Sequence, residues 1–157
     1  MSRVVRRGVV VVASLVALAG RSTVGKAQVT TLTPLAFGTI VTGTTTSIAP
    51  SSVDAASWRV HGSIGIAGVI SIGLPSSLVR AGGGSMPISF CSTCGLYRTN
   101  NSNPAGGTTF NPNLGLVLTI TVLSDLYVWV GGSVSPPLAQ APGSYSGTII
   151  LTATPLL

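Results

Sequence analysis

The sequence predicts an all-β protein, an antiparallel β-sandwich of about seven or eight strands. Apolar and polar residues alternate with a period of two in short runs, and glycine or proline interrupts most windows of ten residues. Only 6% of the residues are charged, against about 25% in an ordinary soluble domain. Threonine and serine, with 20 glycines and 10 prolines, take the place of lysine and glutamate, which is typical of short strands joined by tight turns.

The last third of the chain carries the clearest strand pattern. Residues 126–130 read LYVWV, so the three aliphatic residues share one face and the two aromatic residues share the other. Residues 144–153 alternate in the same way and predict a single closing strand, with Pro142 and Gly143 supplying the bend before it.

Shorter runs predict the remaining strands. Residues 35–41 and 44–49 predict an opening strand pair, and Pro75 ends another run because proline cannot donate to a ladder. The polar, turn-rich stretch 91–112 predicts a long loop. The spacing is that of an immunoglobulin-like sandwich, with further strands at 57–62, 68–74, 86–90 and 114–122.

The first 27 residues have the layout of a secretory signal peptide. Arg3, Arg6 and Arg7 precede the apolar run 8–19, which is shorter than the ~20 residues of a membrane span. Cleavage after Ala27 fits the preference for small residues, and cleavage after Ala19 is the alternative. We therefore expect residues 28–157 to form one domain that is secreted to the periplasm, the cell surface or the medium. An uncleaved N-terminal anchor is the competing interpretation.

The net charge of +6 does not indicate a nucleic-acid partner. Five of the eight basic residues precede Gln28. Those that remain are scattered along the chain, whereas a phosphate-binding surface needs clustered basic residues. They are Arg59, Arg80 and Arg98, set against Asp54 and Asp125.

The cysteine pair Cys91 and Cys94 predicts a local disulfide. An exported chain meets an oxidising compartment, which favours a disulfide over the redox or zinc chemistry that a cytosolic C-x-x-C would suggest. Zinc would need two more ligands, and the chain has one histidine, His61. Free thiols, an intermolecular disulfide and thiol oxidoreductase chemistry are the alternatives.

No catalytic constellation, metal site or cofactor site is predicted. His61, Asp54 and a serine could be combined into a triad on paper, but serine is abundant and no Gly-x-Ser-x-Gly elbow is present. His61 is expected to be an exposed strand residue. Asp54 and Asp125 would have to converge for glycosidase chemistry. A small hydrolase is therefore kept only as a third hypothesis.

Tyr127 and Trp129 form a possible binding face. If the Leu126, Val128 and Val130 side of their strand is core, the two aromatic rings stand on the outer face of the sheet, where they could stack on a sugar or a partner subunit. The alternative is that both rings pack beneath the loop 91–113.

Several short segments together resemble a family of bacterial secreted proteins. They are LAFGTI (35–40), SWRVHG (57–62), ISIGLP (70–75), VGGSV (130–134) and APGSYSGTIILTA (141–153). In this order they resemble the domain of unknown function 4402 family, related to spore coat protein U and pilin-like domains. The resemblance implies an extracellular, pilin-like sandwich with a structural or surface-assembly role and no catalytic residues. The chain departs from the family at its C-terminal residues 154–157 and in the loop 91–113.

The leading expectation is a non-enzymatic structural or surface-assembly protein, and the alternative is a carbohydrate-binding or adhesive module that uses Tyr127 and Trp129. Pilin-type sandwiches receive a strand from a neighbouring subunit. Residues 28–34 do not alternate well enough to be such a strand. We therefore expect a monomer that closes on itself, with Gln28–Thr33 along its own sheet edge.

We predict that export removes the N-terminus before Gln28, or failing that before Gly20. The intact mass of the exported protein measures this directly. A secreted chain that retains Met1 would contradict both the signal peptide and the assigned localisation.

Overall fold

The computed structural model describes residues 8–12, 27–62, 66–120 and 125–155. None of the described residues is helical, and they form fifteen short strands, which confirms the all-β prediction. Most of the predicted signal peptide, including the cleavage site after Ala19, lies outside the described residues. The strands are β1 (Gly8–Val12), β2 (Gln28–Thr33), β3 (Ala36–Val41), β4 (Thr46–Ile48), β5 (Ala56–His61), β6 (Ile66–Gly73), β7 (Ser77–Arg80), β8 (Ser85–Ser89), β9 (Gly95–Thr99), β10 (Thr108–Phe110), β11 (Leu116–Ile120), β12 (Asp125–Val130), β13 (Gly132–Val134), β14 (Ser144–Ser146) and β15 (Ile150–Pro155).

The strands form three sheets in a sandwich-like arrangement. The seven-stranded sheet has the order β3-β1-β14-β7-β8-β13-β4, the five-stranded sheet β10-β9-β12-β5-β2, and the three-stranded sheet β11-β6-β15. Every described pair is antiparallel except β1 with β14. Only β7 with β8 and β9 with β10 are consecutive in the chain, and the other described pairs join strands that are separated in sequence.

The described residues form more strands than the seven or eight expected, and two features of the chain account for three of the additional strands. The predicted loop 91–112 contains β9 and β10, because Leu96 and Phe110 are buried there and Phe110 packs on Gly95. The predicted closing strand 144–153 is two strands in different sheets, since β14 pairs with β7 and β15 pairs with β6. The opening strands do not pair with each other either: β3 pairs with β1, and β4 pairs with β13.

The core consists of the inward rows of strands from the different sheets. Trp58 and Val60 of β5 lie beside Leu126 and Val128 of β12, and all four are fully buried. Burial of this apolar surface is the main source of stability in such a sandwich. Other residues of the same cluster are Leu35, Phe37, Ile40, Ile70, Leu78, Met86, Tyr145, Ile149 and Leu151.

Tyr145 fixes β14 from inside the core. Its ring is fully buried, and its hydroxyl donates a hydrogen bond to the Ala141 carbonyl at 2.7 Å. The Gln140 side-chain amide donates to the same hydroxyl. The buried polar atom is thus satisfied locally, and the chain before β14 is tied to the strand.

Gly131 occupies a point of close backbone approach between β12 and β13. Its N–H donates to the Cys94 carbonyl at 2.9 Å, and a Cβ at this position would lie 2.1 Å from the Ile48 carbonyl oxygen. Only glycine fits there without displacement of the backbone.

We predict that Gly131→Ala lowers the free energy of unfolding by about 3 kcal/mol, because the new methyl group must displace main-chain atoms rather than a flexible side chain. Urea denaturation measures the change. Gly73→Ala is the matched control, since its Cβ would make an ordinary 3.7 Å contact with Ile150. Equal effects of the two substitutions would contradict the packing argument.

Candidate functional site

The outer face of the five-stranded sheet holds most of the charged side chains that follow Gln28. Leu126, Val128 and Val130 of β12 point into the core, so the alternate residues of this strand point outward. Tyr127 lies directly opposite Arg59 of β5 on one side and Arg98 of β9 on the other. Directly opposed residues of paired strands share a face, so the two arginines flank the tyrosine.

The two predicted face residues differ in exposure. Trp129 is only 6% exposed, whereas Tyr127 is half-buried. Their rings stack with centroids 6.1 Å apart and an interplanar angle of 23°. Of the two rings, only that of Tyr127 is open to a ligand.

The stretch 91–113 accounts for the surroundings of Trp129. Leu96 lies opposite Trp129 in the β9–β12 ladder, is itself buried, and packs against Gly107. Trp129 is thus buried beside a residue of this stretch, whereas the alternative interpretation had both aromatic rings packed beneath it.

An ionic cluster adjoins Tyr127 at the end of the same strands. His61 Nδ1 donates to Asp125 Oδ1 at 2.6 Å, and Arg59 Nη2 donates to Asp125 Oδ2 at 2.9 Å. The hydrogen bond from His61, followed by that from Arg59, lowers the pKa of Asp125, because both donors favour the ionised carboxylate. The hydrogen bond from Arg59 to Asp125, followed by the attraction between their opposite charges, raises the pKa of Arg59.

Asn100 holds the backbone of Asp125 in place. The Asn100 N–H donates to the Asp125 carbonyl at 2.7 Å, and the Asp125 N–H donates to the Asn100 side-chain oxygen at 2.9 Å. Asn100 adopts a positive φ of 57°, which asparagine tolerates better than most residues.

Arg98 is fixed by the chain that follows β9. Its Nη1 donates to the carbonyls of Asn103 and Ala105. A guanidinium has five N–H donors, so those that do not bond these carbonyls remain free to bind other groups.

The other sequence candidates do not converge. His61 pairs with Asp125 and not with Asp54, which lies in the turn before β5 and is exposed. His61 was expected to be simply an exposed strand residue, and its hydrogen bond to Asp125 depends on the register of β5 against β12. Across the described ranges, no group of three or more histidine, cysteine, aspartate or glutamate residues could hold a metal ion.

Cys91 and Cys94 lie at disulfide distance, with their Cα atoms 5.0 Å apart. Cys94 is buried at the start of β9, and its carbonyl accepts the hydrogen bond from Gly131. The pair therefore lies beside the close backbone approach at Gly131 and is distant in sequence from His61 and Asp125 of the ionic cluster.

No protein-family model matches the chain, and a search of curated proteins finds no match to it. The resemblance drawn from the short sequence segments therefore remains an expectation. Among the residues that the structure describes, there is no helix that is both long and apolar enough to cross a membrane.

We predict that Asp125→Asn destabilises the protein at neutral pH and that the deficit shrinks in acid. The folded-state pKa of Asp125 is below its unfolded value of about 4, so the stabilisation is present above that value and disappears as the pH falls through the folded pKa. Urea unfolding of both proteins at pH 7 and at about pH 2 measures the difference. Asp54→Asn removes the same charge outside the cluster and is the control, and a deficit that is independent of pH would refute the prediction.

Proposed function

We propose that this chain is an exported, non-enzymatic structural or surface-assembly protein that accepts a β-strand from another polypeptide. The proposal rests on the place of β1 in the seven-stranded sheet. β1 lies between β3 and β14, and in the described part of the chain it is the only strand that connects them.

The place occupied by β1 is a slot one strand wide. β1 pairs antiparallel with β3 from Gly8 opposite Val41 to Val12 opposite Ala36, and parallel with β14 at Val10 and Val11. All five residues belong to the predicted signal peptide. Cleavage before Gln28 would therefore leave the facing main-chain groups of β3 and β14 without partners, which makes an open edge ready for strand addition.

Both walls of the slot are held independently of β1. β14 pairs with β7, and Tyr145 is anchored through Ala141 and Gln140. β3 is anchored by Phe37 and Ile40, which are buried in the core. The slot is thus expected to survive the loss of its occupant.

β2 is engaged elsewhere and does not fill the slot. It pairs with β5 at the edge of the five-stranded sheet, where Gln28–Thr33 was expected to lie, but the expected closure of the domain on itself would not extend to the seven-stranded sheet. Its register shifts between Thr31 and Thr33, and Leu32 is 47% exposed. A strand with this irregular pattern is a poor donor to a neighbouring copy, which supports a monomer rather than a strand-exchanged polymer of this chain alone.

We predict that the processed protein is a monomer that a strand peptide stabilises. The exported protein, with its mass verified to begin at Gln28, is titrated with a synthetic peptide of residues 7–14, and thermal unfolding is recorded. At a peptide concentration 100 times Kd, the expected gain is about 2.7 kcal/mol, because the peptide binds the folded state alone.

The matched control is the same peptide with proline in place of Val10, which lacks a backbone donor and should not stabilise the protein. An unchanged unfolding midpoint with the native peptide would defeat the proposal. Size-exclusion chromatography gives a second test, since a ladder of multimers that collapses only on boiling in detergent would mean exchange among copies and would contradict the monomer.

A further inference from the structure

The charges of the domain are concentrated on one face. From Gln28 onward the chain has five charged side chains, and Arg59, Arg98 and Asp125 lie on the outer face of the five-stranded sheet. We call five side chains on this face the Tyr127 cluster: Arg59, His61, Arg98, Asp125 and Tyr127. Two arginines and one aspartate give this face a net positive charge. Arg80 and Asp54 lie elsewhere in the domain, and their formal charges sum to zero.

The cluster is organised before any ligand arrives. Asp125 holds Arg59, and the carbonyls of Asn103 and Ala105 hold Arg98. Tyr127 lies between the two arginines and is supported by the buried Trp129. Side chains that are already held in place lose little conformational entropy when a ligand binds. A ligand that makes only a small contact area can therefore still bind.

We propose that the Tyr127 cluster binds a carboxylate-bearing glycan, of the type built from uronic acids. The free donors of Arg59 and Arg98 pair with a sugar carboxylate, for which the planar guanidinium fork is well shaped. The half-buried Tyr127 ring covers the apolar side of a sugar, and His61 and Asp125 offer polar atoms to hydroxyl groups.

The size and charge of the cluster favour this ligand over other polyanions. Nucleic-acid binding draws on many phosphate contacts and therefore on many basic side chains, and this face offers two arginines. A neutral glycan could use Tyr127 but would leave the excess positive charge unpaired. The cluster is on the five-stranded sheet, whereas the strand slot is in the seven-stranded sheet. The glycan-binding proposal can therefore be disproved without affecting the proposed function.

Affinity electrophoresis in gels that contain polygalacturonate, with dextran as the neutral probe, tests the proposal on the whole protein. We expect retardation by polygalacturonate and not by dextran, and at least tenfold weaker binding for Arg98→Gln and for Tyr127→Leu. Arg80→Gln, which removes the same charge from β7, is the matched control and should change the affinity less than twofold.

Circular dichroism checks that each variant is folded. If Arg98→Gln is not, Arg98→Lys takes its place, keeps the charge without the fork, and should still weaken binding. Absence of retardation by polygalacturonate, equal retardation by dextran, equal losses for Arg80→Gln and Arg98→Gln, or equally tight binding of a single-stranded DNA oligonucleotide would each overturn the proposal.

Discussion

The six-residue antiparallel ladder between β5 and β12 is the interaction on which the rest of the sandwich depends. Its register, from His61 opposite Asp125 to Ala56 opposite Val130, sets both faces of the sheet at once. The inward row carries Trp58 and Val128 into the core. Because side chains alternate strictly along a strand, a slip of one residue would bury Arg59 and expose Trp58. The core thus fixes the register, and the register in turn places the ionic cluster.

The sequence predicts a large part of this fold, because a strand with one buried face has an apolar residue at every second position. Two segments, SWRVH and LYVWV, alternate so regularly that the sequence pattern predicts both β5 and β12 and the inward position of Trp58. β9 was missed because Gly95–Thr99 is embedded in a stretch of turn residues, although Leu96 and Tyr97 carry a weak signal. The division of residues 144–153 between two sheets was missed as well, since alternation continues through the change of partner.

The candidate site was less predictable than the fold, since it depends on which strands are neighbours. Tyr127 and Trp129 could be assigned to one face, but their different burial depends on Leu96 and Gly107, which arrive from another strand and its following turn. The position of Arg98 beside Tyr127 follows from the pairing of β9 with β12, which no residue spacing in the sequence predicts. The resemblance to pilin-like domains suggested strand addition, but only the sheet order shows that β1 lies between β3 and β14.

The pairing of β1 with β14 also affects when the chain can fold. Val10 meets Ser144, so segments from opposite ends of the sequence complete the same sheet. Contacts between such distant segments form slowly, because a long loop must close before they contribute stability. During synthesis β1 therefore has no partner strand β14 until most of the polypeptide has emerged. In that interval β1 can pair with β3 but not with β14, so the seven-stranded sheet is completed only late in synthesis.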